Sequence, residues 1–243
     1  MRVLVISDLH GNDAALRAVL DAAGSVDSIL CLGDLVDYGP EPAACVDWVR
    51  RHATAVVRGN HDDALVRGIR CECSPESRGL SDATQNVARR QVTGESLEWL
   101  ASLPAERRVE LGGVRFHLVH ATPRDPLFEY LGPERASDWE RAVEAADADV
   151  VLVGHTHLPM ILEAGGHLVV NPGSVGQPRD GDARAAFAVF DEGVPRLARA
   201  AYDVERVVRR LGSRGIEAGT RRSLATILRS GGQRGPTSTA EGK

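Results

Sequence analysis

The chain has 243 residues, 43% hydrophobic and 26% charged, enough for one substantial core and ordinary for a soluble globular protein. Its net charge of −5 counts against nucleic acid as a partner, because binding a phosphate backbone needs clustered cations. No stretch approaches a membrane span, and the short apolar run after Arg2 makes a better first strand than a signal peptide. The cysteines are Cys31, Cys45, Cys71 and Cys73; Cys71-x-Cys73 lacks the two-residue spacer of zinc knuckles and redox pairs. Structural or incidental thiols in a reducing cytoplasm are the expectation.

Val3-Leu4-Val5-Ile6 reads as a strand buried on both faces, running into Ser7-Asp8-Leu9-His10. Leu16, Val19, Leu20 and Ala23 then recur at helical spacing, with Asn12 or Asp13 to cap and Gly24 to stop. Ser28 to Leu32 is a second strand ending in Gly33-Asp34-Leu35-Val36-Asp37, followed by a helix opened by Pro42. Ala55-Val56-Val57 is a third, ending in Arg58-Gly59-Asn60-His61-Asp62. Three strand–helix units in succession argue for an α/β layer fold.

From Asp63 to about Val109 the rhythm changes to a polar segment with a helical run around Val87 to Leu103, read as a helical insertion beside the site. Alternation resumes at Val114 to Val119, with His120 at the far end. Ser137-Asp138-Trp139-Glu140 matches a capping box. Val150 to Val153 leads to Gly154-His155-Thr156-His157, and Leu168 to Val170 leads to Asn171-Pro172-Gly173-Ser174. Ala185 to Phe190 is the last clear strand, and Asp203 can cap a final basic helix. From Gly231 onward no apolar period survives, which predicts a disordered tail.

The strand ends therefore supply Asp8, His10, Asp34, Asn60, His61, His120, His155 and His157, using five of the eight histidines. Core histidines would not favour glycine-flanked strand termini, so together these side chains point to a metal site. Carboxylate, amide and imidazole without thiolate suits Mn, Fe, Zn, Co or Ni. The donors are too many for one tetrahedral ion but suit two divalent transition-metal ions sharing a carboxylate. Such a pair, ~3.5–4 Å apart, activates a bridging water and clamps the oxygens of an in-line displacement. Ser174 does not sit in a Gly-x-Ser-x-Gly elbow, and no P-loop pattern occurs.

Asp8-x-His10, Gly33-Asp34-x-x-Asp37, Gly59-Asn60-His61-Asp62, His120 and Gly154-His155-x-His157 resemble the five motifs of the calcineurin-like metallophosphoesterases. Within that superfamily the chain looks like the small YfcE/MJ0936-type phosphoesterases, which are similar to diadenosine tetraphosphatases. The resemblance implies an α/β fold, a four-layer αββα sandwich, expected here over residues 1–211 with the insertion at about 63–109. Residues 212–243 are then a helix remnant and tail. It implies that Asp8, His10 and His157 hold one ion with Asp34, which bridges to a second held by Asn60, His120 and His155. His61 would protonate the leaving oxygen or stabilise developing charge, and Asp62 would orient His61. Asp37 divides evenly between turn residue and support for the histidines. Asn12 and Arg179 are weaker candidates for substrate contact, with loop bracing as the default. Tyr38 stands where protein phosphatases and symmetrical diadenosine tetraphosphatases carry a phosphate-gripping arginine nearby. The expected function is hydrolysis of a small phosphodiester or phosphomonoester, with manganese the favoured ion in vitro. A non-catalytic metal-binding scaffold, a dinucleoside polyphosphate hydrolase and a nuclease are the alternatives.

Overall fold

The computed structural model describes residues 1–73 and 75–232. One five-stranded sheet contains β1 (Arg2–Ile6), β2 (Ser28–Cys31), β3 (Ala55–Val56), β9 (Ala185–Asp191) and β10 (Val194–Ala200), in the order β10-β9-β1-β2-β3. The second contains β4 (Glu106–Leu111), β5 (Val114–Val119), β6 (Val150–Leu152), β7 (Met160–Ala164) and β8 (His167–Asn171), in the order β4-β5-β6-β8-β7. In each sheet the three strands that end at the site are parallel: β1, β2 and β3 in one, β5, β6 and β8 in the other. Antiparallel strands complete the edges.

The two-residue period of a strand explains how both sheets bury both faces. Val3 and Val5 point between the sheets, where they meet Leu30, Leu32, Phe116, Leu118, Val150, Leu152, Val170 and Phe190. Leu4 and Ile6 point the other way, into a core shared with Leu16 and Val19 of α1 (Asp13–Ala23) and Val46 and Val49 of α2 (Pro42–His52). On the far side Val151, Val153 and Val169 pack against Trp139, Ala142 and Val143 of α6 (Ala136–Val143). Helix, sheet, sheet and helix are thus stacked in four layers, as expected.

α1 begins where the sequence places it: Asn12 Oδ1 accepts from Ala15 N–H and Gly24 ends the helix. The capping box at Ser137 does not form. α6 starts two residues earlier, capped at Arg135, whose carbonyl accepts from both Asp138 and Trp139. The Trp139 indole, donating to Gly132 O, pins the preceding turn and sets that earlier start.

The segment after β3 holds three helices, α3 (Asn60–Arg67), α4 (Pro75–Gln91) and α5 (Glu95–Ser102), with the last two parted at Gly94, φ 53°. The expected end of the insertion, near 109, falls inside β4, an edge strand whose charged, mostly exposed residues carry no apolar alternation. β10 escaped the sequence reading for the same reason, whereas β7 is largely apolar, with Ile161 exposed at the sheet edge and Met160 and Ala164 buried. The boundary expected at 211 falls inside α7 (Val204–Ser213), capped by Asp203 as anticipated. A further helix, α8 (Ala218–Ser230), folds back on α7, and Val207, Leu211, Leu224 and Leu228 join Tyr38 and Val87 in one apolar cluster. The expected disordered tail lies outside the described residues except for Gly231 and Gly232, which are buried and end α8.

Phe116 and Phe190 meet edge to face across the two sheets, ring centroids 5.2 Å apart. Phe116→Ala should cost about 3–5 kcal/mol through lost burial and the cavity left behind. Urea titration should show this as a lower midpoint at unchanged slope; a midpoint equal to that of the parent would place the core elsewhere.

Candidate metal centre

Every sequence-selected ligand follows the carboxyl end of a parallel strand, in a loop or, for Asn60, at the first residue of α3, and neighbouring loops extend the sheet ladders into one another. Asp8 N–H donates to Gly33 O, His10 N–H to Asp34 O, Gly154 N–H to His120 O, and Gly176 N–H to Asp8 O. These turns force left-handed backbone on side chains that resist it: Asp8 (φ 54°), His10 (46°), Asp34 (53°), Asp37 (66°), Tyr38 (57°), His155 (63°) and His157 (60°). Among the described residues only Glu192 is another non-glycine with positive φ. Each such residue costs on the order of 1–3 kcal/mol and persists only where the surrounding structure over-determines it. Gly59 is required by close approach, since a Cβ there would collide with Asp34 Oδ1.

Asp8, His10, Asp34, Asn60, His61, His120 and His157 are all buried, whereas His155 is partly exposed. In each carboxylate one oxygen is held by the backbone and the other left free. Asp34 Oδ1 accepts from His61 N–H at 2.9 Å, leaving Oδ2 at 3.3 Å from His120 Nε2, 3.7 Å from His10 Nε2 and 4.0 Å from His61 Nε2. Asp8 Oδ2 accepts from His155 N–H at 3.2 Å. Its buried Oδ1 has no hydrogen-bond partner and lies 3.2 Å from His157 Nε2.

The imidazoles complete the pattern. His10 Nδ1 donates to Val36 O at 2.9 Å and His157 Nδ1 to Gln177 O at 2.6 Å, which fixes both tautomers. Their Nε2 atoms then present bare lone pairs to each other at 3.1 Å. Burial holds both rings below the ordinary histidine range, hence neutral, so no proton relieves the opposition. A cation held beside Asp8 Oδ1 would. His120 Nδ1 likewise donates to Leu32 O, leaving Nε2 against Asn60 Oδ1 at 3.0 Å. Asn60 Nδ2 donates to Cys71 Sγ, which establishes that the amide oxygen faces inward. Burial depresses the His120 imidazolium, yet Asp34 outweighs it and lifts the ring to about 9: this pocket draws positive charge. Burial opposes ionisation of Asp34 too, but His120, His61 and His10 hold its carboxyl well below the ordinary range. Donor atoms of Asp8, His10 and His157, and of Asp8, Asp34 and His120, form two clusters, each within 4.8 Å. The residues present therefore fit two adjacent cations.

The remaining candidates sort differently from expectation. His61 Nδ1 is held by Asp37 Oδ2 at 2.7 Å, not by Asp62. Asp62 is the third residue of α3 and spans backbone N–H groups instead, of Gly59 at 3.1 Å and Leu35 at 2.9 Å. Burial and the nearby Asp34 raise its carboxyl to about 7. Burial lowers the His61 imidazolium, but Asp34 and Asp37 override this and raise it to about 9. Asn12 is consumed by the fold: Oδ1 caps α1 and Nδ2 donates to Gly176 O, so it braces the loop. Arg179 stands partly exposed at the rim, donating to Gln177 Oε1 at 3.0 Å and to the Tyr130 hydroxyl. Sequence reasoning missed Ser81, whose hydroxyl donates to Asp37 Oδ2 at 2.9 Å from α4. A lone serine in a polar segment offers no signal. Tyr38, noted only for the arginine it replaces, packs edge-on against His10 and His61, with its hydroxyl 3.4 Å from His61 Nε2.

Known proteins resemble this chain. The uncharacterized protein MJ0912 of Methanocaldococcus jannaschii is 31% identical over 233 residues, covering 86% of this chain and 91% of its own. Phosphodiesterase YfcE of Escherichia coli is 26% identical over 196 residues, covering 80% and 89%. The crystal structure of a metallophosphoesterase from Sphaerobacter thermophilus superposes with a TM-score of 0.80 at 35% identity, covering 95% of this chain and 99% of that one. The calcineurin-like phosphoesterase superfamily domain matches residues 1–193, which takes in every strand-end ligand described above, and this chain belongs to that family.

Proposed function

We propose that the chain hydrolyses a small phosphodiester or phosphomonoester at two divalent transition-metal ions. Asp8, His10 and His157 would hold one ion, Asn60, His120 and His155 the other, with Asp34 Oδ2 between them. The opposed Nε2 lone pairs of His10 and His157, beside the unpartnered Asp8 Oδ1, carry this reading, because only a cation reconciles them. When bound, the ions supply an activated water and neutralise phosphoryl charge.

The chain's own groups do the rest. Backbone N–H donors to Asp34 Oδ1 and Asp8 Oδ2 hold each carboxylate in place before any ligand arrives. Asp37 and Ser81 fix His61 through Nδ1, so that Nε2 faces the space beside Asp34 Oδ2. From there it would protonate the leaving oxygen or stabilise the charge developing on it. Arg179 at the rim retains N–H donors for a substrate oxygen. The name of YfcE as a phosphodiesterase supports the diester; Tyr38, in place of a phosphate-gripping arginine, lowers protein phosphatase activity.

Chelator-stripped protein should bind two equivalents of Mn2+ and unfold at a higher temperature in its presence, by about 2.7 kcal/mol at a hundredfold excess over Kd. Calorimetric titration saturating at one equivalent, or no thermal shift, would contradict the paired site. With bis-p-nitrophenyl phosphate and p-nitrophenyl phosphate as substrates, Asp34→Asn should abolish turnover and weaken both ions. His61→Ala should reduce turnover by ~10²–10⁴ while metal content is retained. Loss of metal in the His61 variant would make that residue a ligand and overturn its assignment.

A further inference from the structure

Cys71 and Cys73 were expected to be incidental, yet the loop between α3 and α4 brings both thiols to the rim of the centre. Cys31 and Cys45, by contrast, are fully buried in the helix-side core. One donor atom each from His61, Cys71 and Cys73 lie within 4.8 Å of one another. Cys71 is buried and accepts from Asn60 Nδ2 at 3.1 Å, whereas Cys73 is partly exposed. Asp37 orients His61 through Nδ1 as carboxylates orient ligating imidazoles. With Nδ1 committed, Nε2 is the nitrogen left to bind.

We propose that His61, Cys71 and Cys73 form a third cation site, selective for a thiophilic d10 ion such as Zn2+, whose occupation switches hydrolysis off by withdrawing His61 from the substrate. Two sulfurs and one nitrogen with an open fourth position are a tetrahedral donor set. Donors at zinc distances stand roughly 3.3–3.8 Å apart, so modest side-chain rotation closes the triad. Each thiol and the His61 imidazolium, at Nε2, release a proton to solvent on binding, and two thiolates balance the dication. The paired centre offers no sulfur, so hard and soft ions sort between the sites by ligand type. Cys73 opens to solvent and gives the ion its path. Binding at the triad is independent of the proposed hydrolysis; only the inhibition rests on it.

The test uses Mn2+-loaded full-length protein titrated with Cd2+, following the ultraviolet sulfur-to-cadmium charge-transfer band and hydrolysis of bis-p-nitrophenyl phosphate in parallel. The band should saturate at one equivalent with turnover falling ~10²–10⁴-fold, the range for losing a general acid. Cys73→Ser should lose the band and keep its turnover in Cd2+. Cadmium entering the paired centre gives no sulfur band, so inhibition that is equal in both proteins overturns the switch. Absence of the band in the parent overturns the site itself, whether or not any ester is hydrolysed. X-ray absorption on the Zn2+ form gives a second readout: two sulfur scatterers are expected, and a shell of nitrogen and oxygen alone contradicts the assignment.

Discussion

The structure depends on one electrostatic constraint: acceptor atoms are held facing acceptor atoms in a buried pocket. Backbone carbonyls take the Nδ1 protons of His10, His120 and His157, and backbone N–H groups take one oxygen each of Asp8 and Asp34. What is left over converges: the lone-pair nitrogens of His10 and His157, two carboxylate oxygens and the Asn60 amide oxygen, with His120 the one ring of the three that Asp34 draws toward positive charge. Burying such a set without positive charge is costly. The fold prevents the set from relaxing by rotation, because the opposite end of each side chain is already engaged.

Holding it there requires a rigid frame. The seven site residues with left-handed backbone are tolerable because the parallel strands carrying them are packed on both faces, by the inter-sheet core on one side and by helices on the other. The loops then bond to each other rather than to solvent, so no ligand-bearing turn can open alone. α4 adds a second layer of restraint from outside the sandwich, through Ser81 on Asp37 and Thr84 Oγ1, which accepts from Tyr38 N–H. Strain at the centre is thus offset by burial elsewhere, as expected where backbone geometry serves chemistry.

Much of this was legible in the sequence. Apolar runs ending in Asp-x-His, Gly-Asp and Gly-His-x-His fixed both the parallel strands and the side chains at their tips, because a strand end projects its next polar residues into a shared space. The features that were not legible depend on tertiary placement. β4, β7 and β10 lie at sheet edges, and in β4 and β10 exposure erases the apolar alternation. The Asp37–Ser81 pair joins residues 44 apart in sequence. Asp62 next to His61 suggested contact, but a helix start turns adjacent side chains in different directions, and the acid served the backbone instead. Cys71-x-Cys73 read as inert because its spacing fits no local motif; its third donor comes from α3.

The most direct measurement is anomalous diffraction from crystals grown with Mn2+. Two manganese peaks about 3.5–4 Å apart, with Asp34 Oδ2 reaching both, are predicted for the paired centre. A single peak, or two that do not share Asp34, would contradict the view that the converging lone pairs exist to hold two ions.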